Sequence, residues 1–213
     1  MFEETLAVNV VGYNSWYTNF ISPLTPMSNP LLPQDETYAF QDGQLIEGSG
    51  FLLTYFNFGE ATVRGLGVGL EYAPTERLSL TGSLSLIELS NFDQGDADRD
   101  LLLNVPNTKV KGSVMIHDVG TENAFVSVQG RWKSAYEFHS GYWDSSEFYD
   151  DGEVPGRFAA NLTVGFTVPN TNLNVKASAT NLFDTETPDV LGAPETGRLL
   201  WVSAIYKFQG LNF

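Results

Sequence analysis

The stretch DADRD sets three carboxylates, Asp96, Asp98 and Asp100, at alternate positions after Asp93. Hard cations such as calcium are bound by several carboxylate oxygens supplied from a flexible loop. Counted from Asp96, however, an EF-hand would need glycine at its sixth position and glutamate at its twelfth. Leu101 and Thr108 stand there instead. A calcium site and a plain solvated acidic loop are the two readings, and calcium is the one cofactor the sequence suggests. The segment EFHSGYWDSSEFYDD places Tyr142, Trp143, Phe148 and Tyr149 among acids. Rings in such a loop either touch a ligand or pack the loop against itself.

Other chemistry is missing. The two histidines, His117 and His139, have no third ligand near them in sequence, and there is no cysteine. No serine sits in a nucleophile elbow. GLGVGL keeps strand rhythm with no helix after it, so it is not a phosphate-binding loop. Its Gly65, Gly67 and Gly69 are expected to form a smooth track free of side chains. No catalytic residues emerge, and the chain is not expected to be an enzyme.

Elements that could position these loops follow from composition and periodicity. Of 213 residues, 42% are hydrophobic, 13% aromatic and only 17% charged, against roughly 25% charged in soluble domains. The net charge of −15 argues against nucleic acid, whose phosphates need lysine and arginine. The acids gather in DQGDADRD, DSSEFYDDGE and FDTETPD, all loop-like stretches. No apolar run reaches the length of a membrane-spanning helix. Met1 is followed by FEETL, which does not read as a signal peptide. The chain is therefore expected to be mature, truncated or one piece of something larger.

Alternation with a period of two dominates. Strands are expected at about 5–21, 52–73, 77–90, 107–118, 124–137, 157–168 and 172–181, with a last strand in GRLLWVSAIYKF. Leu78, Leu80, Leu84 and Leu86 share one face of the third, and Ser79, Thr81, Ser83 and Ser85 the other. Tight turns at APTER, DVGTEN and VPNTN alternate with long loops at about 22–51, 91–106, 138–156 and 182–197. Short and long connections in alternation mark outer-membrane barrels, with trimmed periplasmic turns and long outer loops. The expected fold is all-β: an antiparallel up-and-down transmembrane β-barrel of about eight strands in one domain, 1–213. It is either a closed small barrel or part of a larger one. Aromatics near strand ends, among them Trp16, Tyr17 and Trp132, then form interface girdles.

Several segments together resemble TonB-dependent outer-membrane receptors. NVKASATNLFD resembles their penultimate strand, closing on Asn181, Leu182, Phe183 and Asp184. GRLLWVSAIYKF resembles their last strand, opening on Gly197 and Arg198 and closing on Tyr206 and Phe208. YFNFGEATVRGLGVGLEY is similar to an Asn-x-Gly-x-Ala strand of that family at Asn57, Gly59, Ala61 and Gly65, although Gly67 stands where an acid is usual. The resemblance covers roughly the last eight strands of a barrel of about 22, without the plug or the TonB-binding box.

The resemblance implies ligand binding and uptake in the bacterial outer membrane, with the lipid bilayer and the outer-membrane assembly machinery as partners. It also implies that Tyr206 and Phe208, or Phe213 after QGLNF, form the signal that machinery reads. Another chain completing the barrel is a further expected partner, because open sheet edges are costly in lipid. Two alternatives stand beside uptake: a non-transporting structural subunit of a larger outer-membrane complex, and a soluble β-sandwich binding module.

Overall fold

The computed structural model describes residues 5–21, 25–28, 40–41, 44–45, 51–54, 57–93, 103–138, 145–186, 188 and 190–208. Eight strands form one antiparallel sheet: β1 (Thr5–Ile21), β2 (Asn57–Thr75), β3 (Leu78–Asp93), β4 (Thr108–His117), β5 (Ala124–Lys133), β6 (Arg157–Thr167), β7 (Leu173–Thr180) and β8 (Leu199–Tyr206). They lie side by side in chain order, as an up-and-down barrel wall requires. The long run expected at 52–73 is divided. Phe51–Thr54 pairs with Thr25–Ser28 in a separate ribbon, and β2 begins at Asn57, opposite Ile21.

Turn chemistry fixes the short connections. Asn123 donates its backbone N–H to Asp118 Oδ1 at 3.0 Å, and Asp118, Gly120 and Asn123 all adopt positive φ. At the next short turn Thr171 donates both its N–H and its hydroxyl to Val168 O, with Asn170 at φ 59°. Asparagine, aspartate and glycine suit these positions because they tolerate the left-handed region. These turns set the register, and in a sheet register decides which face every side chain joins.

The two faces differ sharply. One row, Leu6, Tyr72, Leu80, Val114, Val128, Leu162, Ala179 and Leu200, crosses all eight strands without a polar break other than the tyrosine hydroxyl. From this row to that of Leu66 and Leu86 the face carries no charge. Arg64 and Glu88, the first charged residues above it, are cross-strand partners on the long-loop side. Trp16 also stands on this face, 74% exposed, and Val202 on the last strand is 73% exposed. The opposite face pairs residues such as Asn9, Gly69, Ser83, Lys111 and Arg131. Among the described residues the buried apolar set is small, Ala61, Tyr136, Val154, Ala159, Ala160 and Leu191, and no second sheet covers the apolar face. That arrangement is a bilayer-facing wall, not the sandwich considered as an alternative.

Strand length agrees. Strands β4, β5 and β6 have 10, 10 and 11 residues, near the 9–11 or so that a tilted strand needs to span hydrocarbon. At 17, 19 and 16 residues, the first three strands rise beyond it toward the long loops. The glycine track is smooth only in part. Gly67 and Gly69 leave open wall, but the Tyr13 ring occupies the space a side chain at Gly65 would need. Phe125 covers Gly165 similarly, at 2.6 Å from where a Cβ would lie. An aromatic ring over a strand glycine restores packing that the glycine lacks.

The face assignment predicts an asymmetry at neighbouring positions. Leu80→Arg, on the apolar face, should destabilise the folded protein by about 2 kcal/mol or more, whereas Thr81→Arg, on the polar face, should be close to neutral. Urea midpoints in detergent-free bilayers measure both, and equal costs would contradict the assignment.

Candidate functional site

The polar face is concave, and its centre is a trough of about 880 Å³ lined from five adjacent strands and by Asn161 of β6. On β2 and β3 its lining includes the small residues Gly69, Gly82 and Ser83. Its β4–β5 side carries Lys111, Arg131 and Gln129, and one acid, Glu71, lines it from β2. Thr81 and Ser113 bind each other across β3 and β4 at 2.7 Å.

The described parts of two long connections, 134–138 with 145–156 and 181–198, stand at the end of the sheet where β5 ends and β6 begins. Seventeen of the 26 acidic residues fall in the four long connections between strands. Two of these loops are tied into one body. Tyr136 and Val154 exchange backbone hydrogen bonds of 3.1 and 2.8 Å, and both pack with Leu191 from the β7–β8 loop. Ser145, almost wholly buried, accepts from Phe138 N through its hydroxyl oxygen and donates that hydroxyl to Gly152 O. Two cations join the loops to the wall: Lys133 donates to Pro188 O at 3.1 Å and Arg157 to Thr185 O at 3.4 Å.

The segment Asn181–Asp184 has a physical role that its residue types already hint at. Asn181 is buried at φ 50°. Its Nδ2 donates to Thr185 O at 3.1 Å and Thr196 O at 3.0 Å, and its Oδ1 accepts from Thr185 N at 3.0 Å. Its own N–H donates to Asn161 Oδ1 at 3.0 Å. Asp184 Oδ1 accepts from Arg198 N, and a Cβ at Gly197 would lie 3.2 Å from that same oxygen. The loop thus closes on Gly197 and Arg198, and the small residue permits the approach.

Among the residues expected to form sites, Phe148 is 56% exposed, while Tyr149 packs against the Tyr136–Val154–Leu191 cluster. Tyr142, Trp143, Asp96, Asp98, Asp100 and Phe213 lie outside the described residues. Tyr206 and Phe208 meet edge to face at 4.9 Å, and both are exposed. Sequence reading passed over the cationic side of the trough and the Asn181 hub. Alternating Lys109, Lys111, Arg131 and Lys133 on two adjacent strands was the available signal for the first.

Removing the hub side chain should strand several backbone groups. Asn181→Ala is expected to cost about 3 kcal/mol and Asn181→Asp at least as much, because a carboxylate would then face two carbonyls. Urea unfolding in detergent micelles reads this as a lowered midpoint. An unchanged midpoint would contradict the hub.

A family model described as TonB dependent receptor-like, beta-barrel matches residues 1–182. No curated protein matches the sequence. Among solved structures, the protein titled copper transporter OprC is similar, with a TM-score of 0.62 at 15% identity over 93% of this chain. The match covers 28% of that protein, so this chain spans less than a third of its length. At that identity the likeness speaks for the fold, which is the wall described above. With the family model covering most of the chain, this protein belongs to the TonB-dependent receptor-like β-barrel family.

Proposed function

We propose that this chain forms part of the wall and outer rim of a bacterial outer-membrane receptor that binds a ligand and admits it through the barrel. The observation that carries the reading is the pairing of an uncharged apolar face with a polar concave face across eight strands. A strand wall of that kind serves where lipid lies on one side and water on the other. Family membership fits an outer-membrane location and a transporting rather than catalytic role.

The roles divide by height. Rim loops 134–156 and 181–198, tied together by Tyr136, Val154 and Leu191, meet the ligand first. Phe148, exposed on the first of them, is the candidate contact. The wall beneath supplies the passage. Tyr206 and Phe208 close the last strand and are the candidate signal for the assembly machinery.

Two results test this reading together. A protease site inserted at residues 150–151 should be cut in intact cells, because the rim faces outward. Cells lacking the protein should lose growth on a chelated metal, sugar or peptide source whose use also requires TonB. Cleavage only after the outer membrane is breached, or unchanged growth on every such source, would count against it.

A further inference from the structure

The cations of the wall are not scattered. Five of the chain's 11 basic residues, Lys109, Lys111, Arg131, Lys133 and Arg157, occupy neighbouring positions on one face of β4, β5 and β6. Lys109 lies directly opposite Lys133, Lys111 opposite Arg131, and Lys133 opposite Arg157. Like charges set opposite each other weaken a sheet, and this chain has a net charge of −15, so the cluster runs against both local and global balance. Lys133 and Arg157 have a structural task, since they hold the carbonyls of Pro188 and Thr185. Lys109, level with Lys133, and Lys111 and Arg131, one step lower on the same face, are exposed, and Lys111 and Arg131 line the trough.

The neighbours of this trio sharpen the ligand chemistry. Lysine and arginine are donors without acceptor capacity. Asn161 lines the same trough, and its Oδ1 is occupied by Asn181 N–H, so its amide nitrogen is the group left to offer. Room for a bound molecule lies beside them, over Gly69, Gly82 and Ser83. A volume of about 880 Å³ falls in the usual range for small-molecule sites. A donor-rich, positively charged wall beside open space suits an acceptor-rich anion.

We propose that Lys109, Lys111 and Arg131, with the Asn161 amide, form a binding station for ligands bearing two or more carboxylate or phosphate groups. The inference rests on the concave face being the ligand-bearing wall, and it adds the charge class of what passes there.

Isothermal titration of the full chain in neutral-detergent micelles, with inorganic tripolyphosphate and with citrate as probes, tests the station. At low salt both should bind, and Lys111→Gln with Arg131→Gln should weaken binding at least 30-fold and flatten its salt dependence, as loss of screened charge requires. Arg77→Gln, at a turn outside the trough, should leave affinity within twofold. Single Lys109→Gln and Lys111→Gln variants, each with an exposed side chain, serve if the double variant does not fold, and each should weaken binding at least threefold. No binding by the unaltered chain, or affinity within twofold in the neutralised variants, would overturn the station. Binding without any TonB-dependent uptake would sink the uptake reading and leave the station standing.

Discussion

Every backbone N–H and C=O that enters hydrocarbon must find a partner inside the protein, because lipid offers none. The rest of this structure depends on that constraint. It selects a continuous antiparallel ladder, and the ladder runs from β1 to β8 in chain order. Within this sheet β1 and β8 are each paired on one side only, so in a bilayer their outer edges require further strand partners. A barrel of the receptor family supplies that closure, whichever strands provide it.

Once the ladder is fixed, the pleat divides the side chains. Apolar residues on one face gain nothing from a protein core, since few of them are buried by other side chains; they gain from lipid. The polar face is then free to vary, and it varies with a pattern. Small residues on β2 and β3 make room, whereas cations on β4 to β6 supply charge. The upper cations clamp the β7–β8 loop through its carbonyls, which joins the rim to the wall. Asn181 completes the clamp from the other side, with three side-chain hydrogen bonds converging on one buried amide. Clamp and wall thus share residues, and the described parts of these loops are positioned by the strands beneath them.

Much of this was legible in the sequence. Leu78, Leu80, Leu84 and Leu86 alternating with Ser79, Thr81, Ser83 and Ser85 named both the strand and its faces, because period two has no helical reading. The end of β4, the start of β5, the end of β6 and the start of β7 followed from turn residues such as Asp118, Asn123 and Asn170, whose positive φ values explain their selection, whereas β5 stops at Lys133, four residues short of the expected 137. The pairing of Phe51–Thr54 with Thr25–Ser28 in a two-stranded ribbon was not legible, since FLLT continues the same alternation as the strand after it. Pairing partners are a long-range property that a local pattern does not carry. Tyr13 over Gly65 was hidden for the same reason: 52 residues separate them, and only the register of β1 on β2 brings them together. The cationic cluster needed both alternation and register. Each lysine reads alone as a lumen residue, and their adjacency appears only when Lys109 meets Lys133.

The absence of cysteine makes the central claim directly measurable. Single cysteines placed in turn from Phe125 to Lys133 on β5, each carrying a nitroxide, report collision with oxygen in lipid and with a nickel chelate in water. For the protein in bilayers, the account predicts strict alternation: oxygen-rich at Val126, Val128 and Trp132, chelate-rich at Ser127, Gln129 and Arg131. Uniform access to the chelate at all nine positions, or the opposite phase, would contradict a wall with lipid on one face and water on the other.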